Sequence, residues 1–142
     1  MKKIIICMPM DEELQKEIFI GIKKLDWIND CELDFVHIFK TESFPYMLPP
    51  TIYPDQDQKI EIRKTIEEIF IGLTKDLPYK KMVHHCAFDN SPKEGIIRYL
   101  KEHNADLAIA LTKEKYGLAG YFSSSFADHL VDHAPCNVLV IR

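Results

Sequence analysis

The stretch "LTKEKYGLAGYFSSSF", residues 111–126, gathers residue types that can hold an anion. An apolar run, Leu107 to Leu111, enters it, and a helical pattern, Phe126 to His133, leaves it. Between them stand Gly117, Gly120 and three consecutive serines, Ser123 to Ser125. A loop of this kind between a strand and a helix can cradle phosphate. Glycines let backbone N–H groups come close to oxygen atoms, and the first helical turn offers free N–H groups and the positive end of the dipole. The same serines can equally well do no more than cap the helix. A serine nucleophile is disfavoured because no G-x-S-x-G elbow surrounds them, and no catalytic residue is assigned.

Two histidine groupings invite a metal reading. His129 and His133 are four apart, on one face of a helix, but no Glu-x-x-His context accompanies them. In "HHC", residues 84–86, strand alternation puts His84 and Cys86 on one face and His85 on the other, so the three do not converge on one ion. No metal site is assigned. Cys7, Cys31, Cys86 and Cys136 are far apart, with no C-x-x-C. Cys7 and Cys136 lie in or beside apolar strands, where reduced cysteine acts as a small hydrophobe. A reducing, cytoplasmic setting is the expectation.

The elements that must position these residues alternate between strand and helix. "KKIIICM" (residues 2–8) is a continuous apolar run, as in a strand covered on both faces. A helix is predicted from Asp11 to about Trp27, with Leu14, Ile18, Ile22 and Leu25 at helical spacing. "LDFVHIF" (33–39) reads as the second strand. The segment Thr41 to Asp55 carries Pro45, Pro49, Pro50 and Pro54 and reads as a loop. Its apolar, aromatic part, "FPYMLPPTIYP" (44–54), suits a lid over the site, a surface for a protein partner, or packing on its own domain. Gln58 to Leu73 is the clearest helix, with Ile62, Ile66, Ile69, Phe70 and Leu73 as its stripe. A third strand is predicted from Tyr79 to Ala87. Ser91, Pro92 and Glu94 mark the start of a third helix with a capping box, and Asn104 can end it. "DLAIAL" (106–111) and "NVLVIR" (137–142) are the fourth and fifth strands. Ser125 and Asp128 suggest a capping box for the helix between them.

With 142 residues, one domain with a single core is expected. Eighteen Lys and Arg against 22 Asp and Glu give a net charge of −4 without a basic block, which argues against a nucleic-acid partner. No run approaches the ~18 apolar residues of a membrane span, and the start "MKKIIICMPMDEEL" lacks a small-residue cleavage site. Five apolar strands with intervening helices make a parallel α/β sheet with helices on both faces the natural solution.

The stretch "ADLAIALTKEKYGLAGYFSSSFADHLVDHAPCNVLVIR" resembles the last third of the universal stress protein family, and "HAPCNVLVIR" is close to the family's usual ending. "IIICMPMD" is similar to its first strand, with Pro9 and Asp11 in place, and "LDFVHIF", including His37, to its second. The resemblance covers nearly the whole chain and is weakest from Thr41 to Tyr79. It implies a five-stranded parallel sheet in the order 3-2-1-4-5 and frequent homodimers. For one branch it implies ATP binding in the crevice between strands one and four. Carried onto this chain, the ligand-facing positions are Pro9, Met10, Asp11, His37, Ile38, Leu111, Thr112, Lys113, Ser124 and Ser125.

That branch has the motif G-x2-G-x9-G-(S/T) after the fourth strand. Its glycine positions fall here on Leu111, Glu114 and Ser124, and only Ser125, at the Ser/Thr position, matches. A Cβ at Leu111 obstructs the close approach of backbone to phosphate. Glu114 would place a carboxylate near a triphosphate, a repulsion of about 1–4 kcal/mol at surface dielectrics. Lys113 and Lys115 offset it in part, whereas Glu12 and Glu13 add negative charge beside the same crevice. The expectation is a binding or regulatory stress-response module without tight ATP binding, with an ATP- or AMP-binding relative as the alternative and an electron-transfer or nucleotidyl enzyme of related fold as a third reading. "NVLVIR", Asn137 to Arg142, would lie at a sheet edge and is the expected homodimer contact.

Overall fold

A computed structural model describes residues 1–41, 54–112 and 124–142, with Ser124 and Ser125 described by their backbone alone. In chain order the elements are β1 (Lys3–Cys7), α1 (Glu12–Ile22), a short 3-10 turn (Asp26–Asp30), β2 (Glu32–Lys40), α2 (Gln56–Thr74), β3 (Lys81–Asp89), α3 (Pro92–Glu102), β4 (Leu107–Leu111), α4 (Ser124–His133) and β5 (Asn137–Ile141). The strands form one parallel sheet in the order β3-β2-β1-β4-β5, the order that the resemblance implies.

Ile4, Ile5 and Ile6 of β1 are all buried, although consecutive strand residues point to opposite faces. Both faces of the sheet are therefore covered. On one face Phe19 of α1 meets Phe35 of β2, Phe35 stacks on His84 of β3, and His84 Nε2 lies 2.7 Å from the Thr74 hydroxyl of α2. On the other face Tyr99 of α3 donates its hydroxyl proton to Asp34 of β2 at 2.7 Å. Gly95 lets α3 approach closely there. A Cβ at this position would lie 2.8 Å from Ile38 Cγ2 and 2.8 Å from Asp89 Cβ.

Local signals account for most helix ends. Asp11 caps α1 by accepting the Leu14 N–H at 3.0 Å. Asp55 and Gln58 form a reciprocal capping box that starts α2 earlier than its apolar stripe does. Asn104 ends α3 in the left-handed region, at φ 51°.

Several expectations need correction. The helix after β1 stops at Ile22, so Leu25 and Trp27 lie outside it. The chain turns back through the 3-10 segment so that Glu32 can pair with Lys3, and Trp27 is left exposed while Ile28 is buried. In α2 only Ile66, Phe70 and Thr74 are buried, whereas Ile69 and Leu73 face outward. This helix lies over the edge strand β3, and a helix at the margin of a sheet is covered along a narrower stripe than one at its centre. Ser91 does cap α3, but its own N–H donates to the Asp89 carboxylate at 2.9 Å, so Glu94 does not complete a capping box. Glu94 instead lies 3.3 Å from His129 of α4. Because α4 already includes Ser124 and Ser125, Ser125 belongs to its first turn and does not precede the helix. The Pro-rich loop between residues 42 and 53 lies outside the described residues.

Candidate functional site

The register of β1 creates the crevice. Its pairing with β4 runs from Ile4↔Leu107 to Ile6↔Ile109 and goes no further. Beyond that point β1 stays with β2, through Cys7↔Val36 and the Met8 N–H to the Val36 carbonyl at 2.7 Å. Meanwhile β4 stays with β5, through Leu111↔Ile141 and the Thr112 N–H to the Ile141 carbonyl at 2.8 Å. The sheet splits between its two middle strands at their carboxyl ends, which is where ligands bind in doubly wound sheets.

One wall of the split is the turn from Met8 to Asp11, and it is held rigidly. His37 lies in the C-terminal half of β2 with its Nδ1 2.9 Å from the Met8 carbonyl, to which it donates as the Nδ1–H tautomer. Burial pushes the His37 pKa below its ordinary value, with the Met8 hydrogen bond acting weakly the other way. The ring is therefore neutral at neutral pH. Gln15 of α1, itself buried, donates its amide to the Pro9 carbonyl at 2.8 Å. Asp11 spends one carboxylate oxygen on the cap of α1, and Met10 is exposed. Glu12 pairs with Lys16 at 3.5 Å.

The other wall is the end of β4. Leu111 is 1% exposed and shares a face with Ile109, so its side chain packs in the core where β4 ends beside the split. Thr112 follows it, half-buried. The structure thus brings Pro9, Met10, Asp11 and His37 together on one side and places Leu111 and Thr112 on the other. Ile38 is buried beneath Gly95, so its side chain packs the core. Lys113 and Glu114 lie outside the described residues, as do the side chains of Ser124 and Ser125. Gln15 was not singled out from the sequence. A polar residue one helical turn after a cap, in an otherwise apolar position, is the signal that could have found it.

Among the described residues, no group of three His, Cys, Asp or Glu side chains could hold a metal ion. The Cys7 thiol is pushed up by burial and is no nucleophile. His129 and His133 stack on each other at 4.3 Å, and the His133 ring bonds the His129 carbonyl. At this end of the sheet, the side chains of Asp11, Gln15 and His37 hold backbone groups of the turn in place.

A parallel sheet that splits at this point, with a fixed Pro-Met-Asp turn on one wall, agrees with a match over the full sequence. The model of the universal stress protein family matches residues 1–142. The chain belongs to the universal stress protein family. Solved structures of this family share its fold at low identity. Universal stress protein UspA from Lactobacillus plantarum is 18% identical, with a TM-score of 0.67 over 99% of this chain and 97% of that one. A universal stress protein family member from Arabidopsis thaliana, solved with AMP bound, is 15% identical, with a TM-score of 0.61 over 99% and 90%. The universal stress protein from Archaeoglobus fulgidus in complex with dAMP is 12% identical, with a TM-score of 0.64 over 100% and 98%. Stress response is the known role of the family. No helix among the described residues is long and apolar enough to cross a membrane.

Proposed function

We propose that this universal stress protein acts by binding rather than catalysis, as a regulatory module of the stress response whose crevice takes Mg-ATP weakly or not at all. The observation that carries this reading is Leu111. The family's ATP-binding branch has glycine at this position, and here a buried leucine ends β4 beside the split. A Cβ at this position restricts the backbone conformations that bring N–H groups up to a triphosphate, and Glu114 adds charge of the wrong sign.

A second reading is an adenine mononucleotide in the same crevice. It is favoured by the intact split between β1 and β4 and by relatives solved with AMP and dAMP. A monophosphate demands less of the loop than a triphosphate does.

The functional unit in this reading is a homodimer that pairs β5 with its own copy, antiparallel across a two-fold axis. The two sheet edges differ in a way that favours β5. At the β3 edge, Arg63 Nε donates to the Cys86 carbonyl at 3.2 Å, and Glu67 accepts the Cys86 N–H at 3.4 Å. Side chains from α2 therefore occupy the backbone groups that a second strand would need. Val138 to Ile141 of β5 are only half-buried in the monomer.

Native mass spectrometry of freshly purified protein tests the ligand and the assembly together. The expected spectrum is a dimer that retains no ATP. A dimer with one ATP per subunit would overturn the ligand reading, and a monomer alone would overturn the assembly.

A further inference from the structure

A second polar cavity, of about 550 Å³, lies on the outer flank of β3, two strands away from the crevice. Its lining includes Lys59, Arg63 and Glu67 from α2, His85 and Phe88 from β3, and Tyr99 from α3. The two cations are placed by the fold. Lys59 Nζ lies 5.7 Å and the Arg63 guanidinium 5.4 Å from the centre of the Phe88 ring, and Arg63 Nε is fixed on the Cys86 carbonyl. Glu67, the one carboxylate among the described lining residues, is engaged with the Cys86 N–H.

His85 is the third element, and it is oriented from behind. Its Nδ1 lies 3.0 Å from Oδ1 of Asp34, a carboxylate only 2% exposed, and also contacts the Tyr99 hydroxyl. Tyr99 donates its proton to Asp34 Oδ2, so the carboxylate receives one hydrogen bond on each oxygen. Tyr99 in turn stacks on His103 at 3.9 Å. With Nδ1 turned inward, the exposed part of the ring, 40% of the side chain, is the side that carries Nε2. The hydrogen bond to Asp34 raises the His85 pKa against the opposing effect of burial. Glu67 adds to the rise, and Lys3 opposes it. The remaining titratable neighbours are His84, Tyr99 and His103.

We propose that this cavity is a second binding site, for a small anion whose phosphate or carboxylate group is held by Lys59, Arg63 and the cationic form of His85. With His85 protonated, three positive groups line the cavity beside one negative group that is already engaged: Lys59 and Arg63 reach it from the α2 face of β3, and His85 from the α3 face, across the open edge of the strand. Two of the three are held in place before the ligand arrives, so little side-chain freedom is lost on binding. Asp34 stabilises the proton on His85 from the buried side, in the way that a carboxylate behind a histidine fixes its tautomer. Affinity is highest below the His85 pKa and falls as pH rises through it, because the third positive charge is lost.

The test follows the histidine Cε1–H resonances of the full chain by NMR at about pH 6, with His85→Asn assigning the His85 signal. Inorganic phosphate and succinate are titrated separately. The expected result is a saturable shift of His85 with at least one of them, and the one that saturates first identifies the head group. Lys59→Gln, at a half-buried position, should weaken that binding about tenfold. Three results would overturn the proposal. The first is a His85 signal that does not move up to about 50 mM of either anion. The second is movement without saturation, or equal in Lys59→Gln, which would mean an adventitious ion only. The third is a shift confined to the His37 signal, which would assign the anion to the crevice and leave the reading of that site unaffected.

Discussion

Gly95→Ala is the substitution whose cost the structure defines most sharply. The added methyl carbon would lie 2.8 Å from Ile38 Cγ2, 2.8 Å from Asp89 Cβ and 3.2 Å from Asp89 Cγ. Ordinary carbon–carbon contact is about 3.5–4.0 Å, so α3 must retreat from β2 and β3 by roughly 0.7 Å. Neither neighbour can move aside cheaply. Ile38 is 1% exposed in the core, and Asp89 is held by Arg98 at 2.5 Å and by the Ser91 N–H at 2.9 Å. Overpacking of this kind costs about 1–3 kcal/mol, and alanine returns up to about 1 kcal/mol through helix propensity. Two contacts under 3.0 Å place the overpacking in the upper part of its range, so the expected net loss is about 1–2 kcal/mol, or a fall in Tm of about 3–6 °C for a chain of this size. Gly72→Ala is the matched control. Gly72 lies inside α2 with nothing within 4 Å of its built Cβ, so the same change should stabilise by about 0.5–1 kcal/mol. Urea and thermal unfolding of the two variants beside wild type read both signs. A Gly95→Ala protein as stable as wild type, or a destabilised Gly72→Ala, would refute the packing argument.

Asp34→Asn removes the carboxylate charge that, through its hydrogen bond, raises the His85 pKa. A raised histidine contributes stability that is full below its unfolded pKa and is lost as pH rises through the folded one, so the gap between wild type and variant should be widest below about pH 6.5 and narrow above it. Urea unfolding across pH checks this, and a gap that widens with rising pH contradicts it. Gln15→Leu leaves the Pro9 carbonyl without its donor, which should cost about 1–3 kcal/mol in urea unfolding; an unchanged midpoint would mean that Gln15 does not hold the turn. Val140→Pro, in β5, removes a ladder donor and should convert a dimer to monomer in sedimentation velocity; a variant that folds and stays dimeric places the interface elsewhere.

Much of this fold can be read locally. The unbroken run Ile4–Ile6 requires cover on both faces, Ser91 and Pro92 start a helix, and Asn104 ends one through its own left-handed conformation. What escaped sequence reasoning depends on partners distant in the chain. Leu25 keeps the helical spacing of α1 but is excluded by the need of Glu32 to pair with Lys3. Ile69 and Leu73 match the α2 stripe yet are exposed, because periodicity does not show that the helix lies at a sheet margin. Asp34, one polar residue inside an apolar strand, is satisfied by His85 and Tyr99, which lie 51 and 65 residues away. In the crevice, the turn after β1 was visible in Pro9 and Asp11. The roles of His37 and Gln15 in tying the Met8 and Pro9 carbonyls were not, because both are hydrogen bonds to backbone.

Titration calorimetry with Mg-ATP, run beside AMP, tests the central claim most directly. The buried Leu111 and the carboxylate of Glu114 predict no Mg-ATP binding tighter than about 100 μM, or about −5.5 kcal/mol. AMP should bind at least as well as ATP, because it lacks the phosphates that the loop would repel. A low-micromolar dissociation constant for Mg-ATP would contradict the account.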